Sequence, residues 1–278
     1  MKRFFCIVIS AALLITAALC GCGNHETSKA AQSNQPATEA ATTALTSPAD
    51  STAATNAAAT GLNRALFGSN GGFKTYGDSS LTGIDVSSYS GNIDWQRVKA
   101  AGVSFVMVRL GGRGYGDEGA IYADDKATEL IAGAKNAGLK TGGYFFSQAI
   151  TEAEAMEEAQ YIKNLLGDVT LDYPIAFDLE TIENDAARTD NLTVAQATAC
   201  AKAFCESVKS FGTPMIYAKS DVLTQKYDLS QLNGYDIWYS EYADYPTAYC
   251  PIAMWQYSES GTVDGVEGAV DLNLRFAE

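Results

Sequence analysis

Tyr173-Pro174-Ile175-Ala176-Phe177-Asp178-Leu179-Glu180 reads as a short buried strand that runs into two acids. Side chains alternate between the faces of a strand with a period of two. Ile175, Phe177 and Leu179 therefore point one way, and Ala176, Asp178 and Glu180 the other. Two carboxylates then project together from a C-terminal strand end. Like charges held that close push one group to keep its proton and leave the other ionised.

The pattern recurs in two further segments. Asp85 lies opposite Ile84 and Val86 in Gly83-Ile84-Asp85-Val86, and Asp271 and Asn273 lie opposite the aliphatics of Val270-Asp271-Leu272-Asn273-Leu274. One such acid is usually an exposed strand face. Three strand-like segments, each with an acid opposite an apolar face, point to one acidic site. An acid beside a carboxylate is the equipment of glycosidic bond cleavage.

Around these segments, strand-like runs alternate with helix-period stretches. Strands are predicted at 82–87, 103–109, 140–146, 173–179, 213–218, 235–239, 251–257 and 269–274. Helices are predicted at 93–101, 124–137, 151–166, 193–211 and 220–226. Thr151 with Glu154, and Thr193 with Gln196, have the spacing of capping boxes. Gly102, Gly138 and Gly212 fall just past helix ends, where a left-handed cap favours glycine. Alternation of this kind predicts an α/β fold with a parallel sheet and helices outside. Eight strands suit a barrel, with a doubly wound open sheet as the competing architecture. In both, the C-terminal strand ends carry the chemistry.

The chain has 278 residues of uneven character. Residues 1–21 read as an export signal, with Lys2 and Arg3 before an apolar run that is short for a membrane span. Leu19-Cys20-Gly21-Cys22 resembles a bacterial lipobox. Small Gly21 makes Cys22 the expected lipidated residue, whereas bulky Leu19 precedes Cys20. The alternative is an ordinary secretory signal. Residues 22–80 are assigned to a disordered tether, since Ala, Thr, Ser, Asn and Gln dominate as far as Thr60 and cannot bury enough surface to offset ordering entropy. Its last part, from Gly61, carries scattered Leu62, Leu66, Phe67 and Phe73. Residues 81–278 form the folded domain, long enough for one sizeable core.

That domain carries 29 acidic and 14 basic residues, a balance that argues against a nucleic-acid partner. With Cys22 lipidated, Cys200, Cys205 and Cys250 remain, an odd number best read as buried free thiols. No metal site is expected: His25 is the only histidine and lies in the tether. No cofactor is expected either, because carboxylates suffice for the chemistry.

Asp85-Val86-Ser87-Ser88-Tyr89-Ser90-Gly91 with Ile93-Asp94-Trp95 resembles the opening motif of glycoside hydrolase family 25 lysozymes. Phe177-Asp178-Leu179-Glu180 resembles their Asp-x-Glu motif. Pro214-Met215-Ile216-Tyr217, Ile237-Trp238-Tyr239, Trp255-Gln256-Tyr257 and the ending Val263 to Asn273 resemble later blocks, so the likeness runs in order through 81–276. It implies a flattened TIM-like barrel of eight strands with an incomplete set of helices. It implies hydrolysis of the β-1,4 bond between N-acetylmuramic acid and N-acetylglucosamine in peptidoglycan glycan strands. It places the proton donor on Glu180, an assisting role on Asp178, and the rest of the acidic site on Asp85 and Asp271. Many members carry a histidine where this chain has Tyr144-Phe145-Phe146, which puts substrate contacts there in doubt.

Tyr144, Tyr217, Trp238, Tyr242 and Trp255 lie at or near strand ends and are candidate platforms for sugar rings, with core packing as the competing use of each. A monomer anchored to the outer face of the cell membrane by its lipid is the expected state. Rival readings are a non-catalytic wall-binding lipoprotein, a solute-binding lipoprotein and a glycosidase of another N-acetylated polysaccharide.

Overall fold

The computed structural model of the chain describes residues 60–183 and 185–276. All of them belong to one compact unit, Thr46–Glu278. The export signal, Cys22, His25 and the tether up to residue 59 lie outside the described residues.

Eight strands close into a barrel. In chain order they are β3 (Leu81–Val86), β4 (Phe105–Arg113), β6 (Lys140–Phe146), β7 (Ile175–Asp178), β8 (Pro214–Lys219), β9 (Asp236–Ser240), β10 (Met254–Gly261) and β11 (Val270–Arg275). Each pairs with the next, and β11 returns to β3. The short strand β5 (Ile121–Ala123) extends the sheet, pairing with the end of β4 that overshoots β3. Five α-helices accompany the barrel: α1 (Trp95–Ala100), α2 (Ala127–Asn136), α3 (Glu152–Leu166), α4 (Val194–Val208) and α5 (Ser220–Gln225). No helix is described between β9, β10 and β11. The eight predicted strands and five predicted helices are all present, and the open sheet is excluded by the β11–β3 ladder.

The strand alternation sorts the residues into two cores. Outward-facing Ile84, Phe177, Ile216 and Leu274 belong to the main core outside the barrel. Phe177 meets Phe204 of α4 at 5.2 Å between ring centroids. Inward-facing Phe105, Met107, Ala176, Met215, Trp238 and Met254 fill the barrel. Gly83 makes room for this filling, since a Cβ there would fall on the Phe105 ring. The plug forms a floor, and the acids stand above it.

Three expectations are corrected. First, β11 runs antiparallel to both β10 and β3. Asp271 therefore sits at the start of its strand, not at a C-terminal end. The reversed direction delivers it to the same barrel face, directly opposite Asp85 in the ladder.

Second, residues 60–80 are not tether. Arg64–Leu66 form a 3-10 turn, and β1 (Phe67–Asn70) pairs with β2 (Phe73–Tyr76) in a hairpin. Gly71 and Gly72 both have positive φ, which the two-residue turn requires. The hairpin lies on the outer side of the barrel, where Phe67 packs edge-on against Trp255 at 5.7 Å and Tyr76 against Phe276 at 5.2 Å. Aromatic burial supplies the driving force that the composition of the preceding segment lacks.

Third, Gly212 is not a left-handed cap. The α4 helix ends at Val208, the chain turns through Lys209–Phe211, and Gly212 instead lies against Ile175. Gly102 and Gly138 do adopt positive φ. The Thr193–Gln196 capping box is complete. Thr151 accepts from Glu154 N–H, but the Glu154 side chain accepts from Ile150 N–H rather than from the cap residue.

Cys200 and Cys205 are buried free thiols, pushed up by burial, and Cys250 is a half-buried one.

Candidate active site

A cavity of about 310 Å³ opens at one end of the barrel, lined by Asp85, Tyr144, Asp178, Glu180, Tyr217, Lys219, Trp238, Tyr242, Gln256, Glu259 and Asp271. All four acids singled out in the sequence meet here. Asp178 ends β7 beside Tyr217 of β8 and Phe146 of β6. Asp85 and Asp271 face one another across the β3–β11 seam. Glu180, two residues beyond the end of β7, is half-buried at the cavity mouth.

Gln256 organises the seam. Its amide N–H₂ donates to Asp85 Oδ2 at 2.9 Å and to Asp271 Oδ2 at 3.2 Å. Its carbonyl oxygen accepts from Tyr217 Oη at 2.9 Å and Ser240 Oγ at 2.8 Å. Two donors toward acids and two hydroxyls toward the carbonyl satisfy the whole amide and fix its orientation. Asn273 adds a second link, donating to Asp85 Oδ2 at 2.7 Å while accepting from the Trp238 indole N–H at 2.8 Å.

The acids differ in proton affinity. Burial, and next the Glu180 charge, hold the Asp178 carboxyl well above its usual range. Its Oδ1 is buried with no hydrogen-bond partner among the described residues. Burial also raises Asp85 against the opposing bonds from Asn273 and Gln256. Asp271 is pushed up to about 9 by burial first, then by the charge and hydrogen bond of Asp85. Two carboxyls that share a seam cannot both ionise freely, so Asp85 and Asp271 hold a proton between them.

Glu180 stands apart from these three. Its Oε2 lies 2.7 Å from Lys219 Nζ, the last residue of β8. Burial lowers the Lys219 ammonium, yet the attraction of Glu180 and Asp178 outweighs it and the net direction is upward. The sequence reading put the retained proton on Glu180. Raised proton affinity is found instead at Asp178, Asp85 and Asp271, each driven first by burial.

The aromatic candidates divide. Tyr144, Tyr217 and Trp238 line the cavity, but Tyr217 and Trp238 are almost wholly buried. The Tyr144 and Tyr217 hydroxyls are pushed well up by burial, so both are neutral donors. Tyr242 is 46% exposed, the most accessible aromatic of the cavity lining. Trp255 is not a site residue. It points out of the barrel, fully buried against Phe67 and Tyr257, and its indole N–H donates to the Glu241 carbonyl. Alternation along Met254-Trp255-Gln256-Tyr257 forces this, since Gln256 takes the inward position.

Lys219 and Glu259 have no place in the sequence analysis, and Gln256 and Asn273 have no role there. The same period of two that found the acids also points Gln256 inward. Lys219 carries no comparable signal, because its partner is set by barrel closure.

With this geometry in place, the comparisons are informative. The model of glycosyl hydrolases family 25 matches residues 84–266. The autolytic lysozyme of Clostridium acetobutylicum is 28% identical over 200 residues, covering 71% of this chain and 56% of that protein. Lysozyme M1 of Streptomyces globisporus is 27% identical over 206 residues, covering 70% and 67%. The crystal structure of the bacterial lysozyme from Streptomyces coelicolor superposes with a TM-score of 0.57 at 26% identity, covering 70% of this chain and 92% of that one. The chain thus spans little more than half the length of the clostridial relative it matches.

Proposed function

The chain belongs to glycosyl hydrolases family 25, and from that premise we propose that it is a muramidase. It hydrolyses the β-1,4 bond between N-acetylmuramic acid and N-acetylglucosamine in peptidoglycan, as the lysozyme names of its relatives suggest. One observation carries the proposal: two carboxyls in unequal surroundings, Asp178 buried and Glu180 half-buried beside Lys219, stand on one cavity wall. That is the pair that glycoside hydrolysis uses. An acid protonates the departing glycosidic oxygen as the C–O bond breaks, and a carboxylate stabilises the positive charge that develops on the sugar. Water then adds at the anomeric carbon and returns its proton to the site.

Family resemblance assigns the donor to Glu180, and position supports this, because Glu180 is the accessible member at the cavity mouth. A second reading exchanges the roles. The surroundings of Asp178 favour it, since burial holds that carboxyl well above its usual range while Glu180 has a cation, Lys219, at 2.7 Å.

Digestion of purified peptidoglycan, with identification of the new reducing-end sugar and chitin digested alongside, tests the activity. N-acetylmuramic acid at the new reducing end is the expected result. N-acetylglucosamine there, or preferential cleavage of chitin, would replace the reading with another glycosidase. No turnover would support a wall-binding role. Glu180→Gln should lower kcat by about 10²–10⁴-fold, the usual worth of a general acid.

The lipobox-like Cys20-Gly21-Cys22 further leads us to propose a monomer anchored by lipid at Cys22 on the outer face of the membrane. Metabolic lipid labelling should vanish in Cys22→Ser and persist in Cys20→Ser. Unchanged labelling in the first variant removes the anchor.

A further inference from the structure

A second depression, of about 770 Å³, lies between the β1–β2 hairpin and the barrel rim. Ser69 and Lys74 form its hairpin wall, and Ser258 and Ser260 of β10 face them. It adjoins the catalytic cavity, because Tyr242 and Glu259 line both. The hairpin wall lies outside residues 84–266, so this half of the groove is an addition to the part of the chain the family model matches. It is also firmly seated: Lys74 N–H donates to Tyr257 Oη at 3.2 Å, Lys74 Nζ reaches Asp244 at 3.4 Å, and Phe73 is buried beneath.

Resting on the muramidase reading, we propose that this groove binds the glycan strand beyond the scissile bond, making the hairpin part of the substrate cleft. Its chemistry suits neutral sugars. Hydroxyls of Ser69, Ser258 and Ser260 can exchange hydrogen bonds with sugar hydroxyls, and the exposed ring of Tyr242 can pack on the C–H face of a sugar. The volume is ample for a saccharide unit. The charge disfavours the acidic stem peptide as occupant. Lys74 is the groove's lining cation and is already paired with Asp244, while Glu259 adds a carboxylate.

The test fills the groove from either side, with Ser69→Trp and with Ser260→Trp. Glycan strands stripped of stem peptides, with the freed lactyl carboxyls amidated so that the sugars stay neutral, are prepared as one short and one long series, and kcat/KM is measured on each. Wild-type protein should favour the long strands by about five- to tenfold, the worth of one or two added hydrogen bonds and a stacked ring. Both variants should lose that preference while keeping wild-type kcat/KM on the short strands and an unchanged Tm. Variants that retain the preference overturn the proposal. So does an effect seen only on strands that still carry stems, which would make the peptide the occupant. Calorimetric binding of the same strands to Glu180→Gln proteins with and without the blocks gives the answer independently of turnover. A length preference in binding that the blocks abolish, with no cleavage by wild type, would sink the muramidase reading and leave the groove assignment standing.

Discussion

Lys219 Nζ sits 2.7 Å from Glu180 Oε2, placing a cation on the wall that Glu180 shares with Asp178. Lys219 also acts on Asp178, but more weakly than burial and the Glu180 charge do. Lys219→Met removes the counter-charge and keeps much of the stem's packing. Loss of that charge favours the protonated form of Glu180. If Glu180 must be ionised in the free enzyme, the acid limb of the kcat/KM profile should move to higher pH. If Glu180 is the donor, the alkaline limb should move up and the acid limb should stay. The profile thus decides which acid donates, and an unmoved profile would remove Lys219 from both accounts.

Stability should fall as pH rises across the neutral range. Asp271 is pushed up from 3.8 to about 9, and buried Glu158 from 4.5 to about 7 despite its 2.8 Å contact with Arg113. The folded protein holds these protons where the unfolded chain has released them. Their stabilisation is complete below about pH 4 and is lost as pH climbs toward the folded values. Asp172 has the opposite sign. It is lowered to about 2 despite the cost of burying its charge, by bonds from Lys140, the Thr141 backbone and Lys135, so its contribution fades as pH drops below 4. The maximum Tm should therefore lie near pH 4–5. Asp271→Asn replaces the shared proton with an amide donor. It should raise Tm at pH 8 by roughly 3 °C or more, at about 2–4 °C per kcal/mol for a domain of this size, while abolishing or reducing turnover. A flat Tm profile from pH 4 to 8 would contradict the retained protons.

The two central tryptophans should behave as opposites. Trp255→Leu shrinks a fully buried side chain under the hairpin and should cost about 2–4 kcal/mol of stability, with kcat and KM unchanged well below Tm. Trp238→Phe keeps most of the ring volume but frees Asn273, whose amide holds Asp85. It should cost only about 1–2 kcal/mol, one buried hydrogen bond with its unsatisfied partner, yet reduce kcat more than Trp255→Leu does. Thermal melts beside initial rates separate the two. A larger catalytic loss in Trp255→Leu would return that residue to the site.

These contrasts also mark what the sequence made legible. Period-two alternation placed Asp85, Asp178 and Asp271 inside the barrel, because a strand leaves a side chain no third direction. Applied to Met254-Trp255-Gln256-Tyr257, the same rule selects Gln256 and rejects Trp255, but the bulk of an aromatic is the louder signal. Strand direction was not legible. A long crossover implies a parallel pair, while the Gly261–Val270 connection can serve either direction, and the antiparallel β11 follows from closure against β3. The Lys219–Glu180 pair joins adjacent strand ends 39 residues apart, which no local pattern encodes. The hairpin was legible in principle: Asn70-Gly71-Gly72-Phe73 is a two-residue turn between aromatic-bearing strands. The Ala- and Thr-rich stretch before it masked that signal.

The hairpin yields the last prediction. A chain beginning at Thr60 keeps every described contact, whereas one beginning at Ser80 loses β1 and β2. The shorter chain uncovers Trp255 and Phe276, and it forfeits the burial of Phe73 and the ring contacts of Phe67 and Tyr76. Each large apolar side chain is worth about 1.5–3 kcal/mol when fully buried, and the freed segment regains conformational entropy that offsets part of the loss. A net cost of about 2–4 kcal/mol follows, or roughly 5–15 °C in Tm. The chain starting at Thr60 should melt with the full-length protein. Equal melting of the two truncated forms would show that the hairpin only rests on the barrel and would move the domain boundary back to residue 81.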